Sequence, residues 1–117
     1  MRLTEVSFAN ARPVDGYGPG FFRVAGEVHT GATLVLPTGV SAWAGFEDSG
    51  PLIALAGRID VVFVGTGGEV APLPPAFRAA IEAAGIGVET MNSPAACRTY
   101  NVCLAEGRRV AAALLPV

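Results

Sequence analysis

Two segments of the chain hold the residue types that do chemistry. Gly65-Thr66-Gly67-Gly68-Glu69 is a glycine-rich turn after an apolar run, and Ser93, Cys97, Arg98 and Asn101 follow Asn92 in quick succession. Glycines let backbone N–H groups approach an anion closely. A helix starting at Ser93 adds donors and a favourable dipole. Together these give an expected small-anion site at Gly65, Thr66, Gly67, Gly68, Ser93 and Arg98, with the guanidinium as a bidentate ligand. Cys97, in about the first turn of that helix and beside Arg98, is the candidate reactive thiol, because both surroundings favour a thiolate. Asp15, Tyr17 and Asn101 are the candidate pocket-lining residues.

Plainer readings stand beside these. The glycine turn is neither a dinucleotide fingerprint nor a phosphate loop, since position 70 is Val and no Gly-Lys-Ser/Thr follows. On a helical wheel Ala96, Cys97, Tyr100, Cys103 and Leu104 fall within an arc of roughly 120°, with Arg98, Val102 and Glu106 opposite. Cys103 is then a core residue and Cys97 lies at the edge of the buried arc, with no histidine nearby in sequence to act as its base. Arg98 is expected either on an anion or in a salt bridge to a carboxylate such as Asp15 or Glu69. Arg108 and Arg109 are expected to cap the helix C-terminus. The one histidine, His29, and two scattered cysteines make no metal site, and no cofactor is expected. Trp43 is expected to pack. No Ser/His/Asp trio or paired acids are present, so no catalytic residue is assigned.

The elements that must position these residues follow from patterning. The first half reads as short strands and glycine-rich turns. Residues 3–9 alternate weakly, and residues 12–20, with three glycines and two prolines, are expected to break regular structure. Residues 21–28 and 32–36 read as strands joined through His29-Thr30-Gly31, and 41–45 as a further short strand, an antiparallel meander in all. The second half changes character. Residues 59–64 are a β-branched run of the kind buried on both faces. Pro74 and Pro75 start a helix that Gly85 stops, 86–90 is a strand, Ser93-Pro94 starts a second helix stopped by Gly107, and 109–115 is the last strand. Residues 49–57 are read as holding a short helix. Strand, helix, strand, helix, strand predicts parallel pairing with right-handed crossovers, which places both candidate loops on one sheet edge.

Composition bounds the rest. At 117 residues, 51% of them hydrophobic and 15% charged, the chain is one folded domain over residues 1–117. The formal net charge of −2 argues against nucleic acid. No apolar run is long enough to span a bilayer. The two cysteines, on one helix and about 9 Å apart along its axis, do not pair. With no secretory signal pattern, a reducing cytoplasm is the expected location. The apolar content and hairpin edges allow a homodimer.

Several stretches, read in order, carry a family likeness: Pro13-Val14-Asp15-Gly16-Tyr17-Gly18-Pro19-Gly20-Phe21-Phe22-Arg23-Val24, Val40-Ser41-Ala42-Trp43, Val64-Gly65-Thr66-Gly67, Gly85-Ile86-Gly87-Val88-Glu89, and Ala95-Ala96-Cys97-Arg98-Thr99-Tyr100-Asn101-Val102 through Leu114. Over nearly its whole length the chain resembles the Mth-type domain of unknown function family, which includes the mitochondrial NADH:ubiquinone oxidoreductase (complex I) assembly factor 3. The resemblance implies a compact α/β domain, an antiparallel β meander packed on a small mixed sheet with two main helices. It implies no established enzymatic activity. It also implies, for the mitochondrial members, assembly of a respiratory complex through protein contacts. The chain is therefore read as a non-catalytic binding or assembly module with a protein partner. The alternative is a small-anion-binding protein or enzyme using the residue 65–68 loop and the helix start at 93–98.

Overall fold

The computed structural model describes residues 11–117, and the alternating segment at 3–9 lies outside them. Five strands lead the chain: β1 (Val14–Gly18), β2 (Phe21–Val24), β3 (Glu27–Thr30), β4 (Thr33–Leu36) and β5 (Gly39–Ala42). A short helix α1 (Gly50–Ile53) precedes β6 (Val61–Thr66), α2 (Pro75–Ala83), β7 (Gly87–Met91), α3 (Ser93–Ala105) and β8 (Val110–Leu115). Strands β1-β2-β3 form an antiparallel sheet in that order. A second sheet has the order β5-β4-β8-β6-β7, with β7, β6 and β8 parallel and β4 antiparallel to β8.

Period-two alternation on the five-stranded sheet builds two cores. Leu34, Leu36, Val62, Val64, Ala111 and Ala113 face one way and pack under Leu52 of α1 and Phe77 and Ile81 of α2. Val35, Phe63, Val110, Ala112 and Leu114 face the other way, against Ala96, Cys97, Tyr100 and Cys103 of α3 and Phe22 and Val24 of β2. The layers are thus α1 and α2, the mixed sheet, then α3 beside the three-stranded sheet. The expected meander on a mixed sheet with two main helices is present, and the three parallel strands lie as the crossover pattern required.

Four local expectations are corrected. Residues 12–20 include β1, because a register shift between Val14 and Gly16 absorbs the glycine-rich sequence. The β2-β3 hairpin turns at Ala25-Gly26, both at positive φ (53° and 80°), so His29 lies in β3 and outside any turn. Alanine rarely takes that conformation, which is why the sequence pointed to Gly31. β3 and β4 then part into different sheets. The strand expected at 41–45 is β5 at Gly39–Ala42, hairpinned to β4 through Pro37-Thr38. Arg109 leaves the helix end: its Nη2 donates to Asp60 Oδ1 (2.6 Å), Nε to Oδ2 (3.2 Å) and Nη1 to Gly57 O (3.0 Å). This pair ties the starts of β6 and β8 and holds the Asp60 carboxyl below its ordinary range. Arg108 does stay at the helix end, its backbone N–H donating to Cys103 O.

Candidate functional site

The glycine loop and the start of α3 meet, as parallel β6 and β7 require. Ser93 is fully buried between them. Its Oγ accepts from Gly67 N (2.9 Å) and donates to Leu115 O, while its N–H donates to Gly67 O (2.8 Å). Gly65 lies against the same residue so closely that a Cβ there would sit 2.7 Å from both Ser93 Cα and Oγ. Thr66 Oγ1 donates to Glu69 O (2.7 Å) and accepts from Ala71 N (3.0 Å). In the first turn of α3, Ala95 N donates to the Asn92 side chain (2.8 Å) and Ala96 N to Asn92 O (2.9 Å), and Pro94 has no N–H. Gly67 and Ser93 are therefore spent on joining loop to helix, and the Ala95 and Ala96 N–H groups on the Asn92 cap. Gly68 and Arg98 are exposed, and among the described residues no carboxylate holds Arg98 in a salt bridge.

Asn101 has a specific partner. Its Oδ1 accepts from Val14 N (2.8 Å) and its Nδ2 donates to Val14 O (2.9 Å), so at Val14 the amide pairs with the outer edge of β1 as a neighbouring strand would. One residue earlier, the buried Tyr100 hydroxyl donates to Arg12 O (3.0 Å). Asp15 Oδ2 accepts from Gly26 N (2.8 Å) at the β2-β3 turn. Tyr17 is 43% exposed and paired in register with Phe22. Asp15, Tyr17 and Asn101 thus gather around β1.

Cys97 is buried, and burial pushes its thiol from the ordinary 9.0 to about 11, with Arg98 pulling down more weakly. Burial likewise pushes the Tyr100 phenol from 10.0 to about 12. The folded state then keeps protons that the unfolded chain releases, so this contribution to stability is whole below about pH 9 and is lost as pH rises toward about 12. In a Cys103→Ser variant, iodoacetamide is expected to modify Cys97 many-fold more slowly in the native than in the urea-unfolded protein. The urea midpoint should fall above about pH 9. Equal labelling rates, or a midpoint flat into the alkaline range, would show that the thiol is not held in this way.

Two grooves lined by described residues lie elsewhere. One, of about 710 Å³, runs between Phe46, Glu47 and Ser49 and the start of α2 at Pro74 and Phe77. Trp43 packs beneath it against Phe46 and Phe77, at ring distances of 5.6 and 5.9 Å, and its Nε1 donates to Asp48 O. The other, of about 410 Å³, is lined by Val70, Pro72, Leu73, Arg78 and Thr90. Sequence reasoning passed over Arg78, which reaches from α2 across β7: Nη2 donates to Thr90 Oγ1 (3.0 Å) and Nη1 to Val88 O (3.5 Å). Its only signal in sequence was an i, i+4 pairing with Glu82. No helix of the described residues is long and apolar enough to cross a membrane.

Fold and site define a three-layer α/β domain whose internal polar groups join its layers. The chain belongs to the family described as protein of unknown function DUF498/DUF598, which matches residues 14–115. It is 50% identical to an uncharacterised protein of Rhodobacter capsulatus, over all of this chain and 94% of that one. It is 36% identical to mouse NADH dehydrogenase [ubiquinone] 1 alpha subcomplex assembly factor 3 across 99% of its own length, and spans 66% of the mouse protein. Among solved structures, an outer membrane protein of Bartonella henselae superposes with a TM-score of 0.84 at 37% identity, over 92% of this chain and 97% of that one. A Mth938-like domain of Bordetella pertussis gives 0.74 at 31% identity, over 92% and 87%.

Proposed function

We propose that this domain is a non-catalytic binding and assembly module that acts through protein contacts in the assembly of an NADH:ubiquinone oxidoreductase. The observation that carries the reading is the 36% identity to the mouse assembly factor, running over 99% of this chain. The polar geometry agrees with it. Ser93, Asn101 and Tyr100 are committed to neighbouring backbone, and among the described residues no buried side-chain nitrogen or oxygen lacks a partner. Gly67 and Ser93, which the small-anion alternative would use, are bonded to each other, which favours the assembly reading over it.

Deletion of the gene from its source cell tests the reading. Expected is loss of assembled NADH:ubiquinone oxidoreductase on native gels, build-up of smaller subcomplexes carrying its subunits, and recovery on re-expression. Normal amounts of the assembled enzyme and normal NADH oxidation by membranes would overturn the proposal.

A further inference from the structure

Sheet edges are where a chain invites pairing, and proteins close them with side chains, charges or covering elements. At two of the four edges a side chain already meets the outward backbone. Asn101 pairs with Val14 at one end of β1, and Arg78 lies across β7 onto Val88 O. β5 is open, but its Gly39-Val40-Ser41-Ala42 offers no charged group to a partner. β3 is open as well, and it is different.

The phase of the β2-β3 ladder follows from its two-residue turn. Val24 and Glu27 close the hairpin as a hydrogen-bonded pair, so Phe22 and His29 form the next such pair and Gly31 N donates to Gly20 O beyond them. The N–H and C=O of Val28 and Thr30 therefore point away from the sheet, and no described group meets them. Val28 itself is 54% exposed. Glu27 and His29 flank it on the opposite face of the strand, an acid and an imidazole two residues apart.

That order is self-complementary. We propose that a second copy of this chain pairs antiparallel along β3 about a two-fold axis at Val28, joining two three-stranded sheets into one of six strands. In this register Val28 exchanges both backbone hydrogen bonds with Val28 of the second copy, and the two side chains cover each other. Glu27 falls opposite His29 of the second copy, and His29 opposite its Glu27, so an imidazole N–H donates to a carboxylate on each side of the axis. Sliding by one residue on each strand would set His29 against its own copy and leave both Glu27 carboxylates without a partner. The charges therefore select one register from those the backbone permits.

Sedimentation equilibrium over a range of protein concentrations, with circular dichroism to confirm folding, tests the proposal on the full chain. Wild type is expected to form a reversible dimer. Val28→Lys, which brings two ammonium groups together at the axis, should leave only monomer. Glu27→Lys should weaken the dimer about 2- to 30-fold, the range for two cross-strand pairs, and Glu27→Lys with His29→Glu should restore it, because the pairs are then reversed and again opposite in charge. Wild type that stays monomeric at its highest soluble concentration overturns the proposal. So does a dimer indifferent to Val28→Lys, or a double variant that fails to restore the affinity lost in Glu27→Lys. A monomer whose β3 takes up the strand of a different protein would overturn it equally.

Discussion

Gly65→Ala is expected to lower stability by about 3 kcal/mol or more, because the added methyl overpacks a fixed joint and the joint's hydrogen bonds open when it moves apart. The methyl carbon would lie 2.7 Å from Ser93 Cα as well as from Ser93 Oγ. A flexible side chain could swing aside, but a backbone atom at the start of a thirteen-residue helix cannot. Moving β6 and α3 apart would break Gly67 N to Ser93 Oγ, Ser93 N to Gly67 O and Ser93 Oγ to Leu115 O together. The thermal midpoint should drop by about 10 °C or more for a domain of this size. Adding Ser93→Gly removes the hydroxyl but leaves the Cα in place, so it should deepen the loss. Recovery of wild-type stability in that double variant, or a Gly65→Ala protein as stable as wild type, would show that the contact yields easily.

Asn101→Leu is expected to cost about 2–4 kcal/mol, since it strands one N–H and one C=O of Val14 at a part-buried edge. Leucine is close in size to asparagine, so the loss reads polar satisfaction more than volume. Hydrogen exchange followed by NMR locates the effect. Amides of β1 and β2 should exchange faster by a larger factor than those of β6 and β8, because Asn101 and Tyr100 clasp the three-stranded layer while the mixed sheet keeps its own ladder. Equal acceleration in both sheets would mean the layers open as one unit, and no acceleration would remove the clasp from the account.

Much of this was legible in the chain. The β-branched run before Gly65, the proline helix starts and the glycine stops placed β6, α2, β7, α3 and β8 to within a residue or two, because each signal is local. The wheel put Cys97, Tyr100 and Cys103 on the buried side of α3, where they lie. What stayed hidden was set by distant contacts. β1 is a strand because β2 pairs with it and Asn101, 87 residues on, holds Val14 on its other side. The Ala25 turn depends on a conformation that alanine disfavours. Ser93 and the glycine loop were expected to meet, but the tightness that turns them on each other, a missing Cβ at Gly65, shows only in three dimensions.

The order of strands in the mixed sheet has a consequence for how the chain is made. β8 is the last element in sequence and the middle strand in space, with β4 on one side and β6 on the other. During synthesis the β4-β5 hairpin and the parallel pair β6-β7 emerge with no strand between them, and both cores lack a wall until residues 110–115 leave the ribosome. Folding of this domain is thereby deferred until residues 110–115 are free to pair, when β8 inserts between β4 and β6 and completes both cores together.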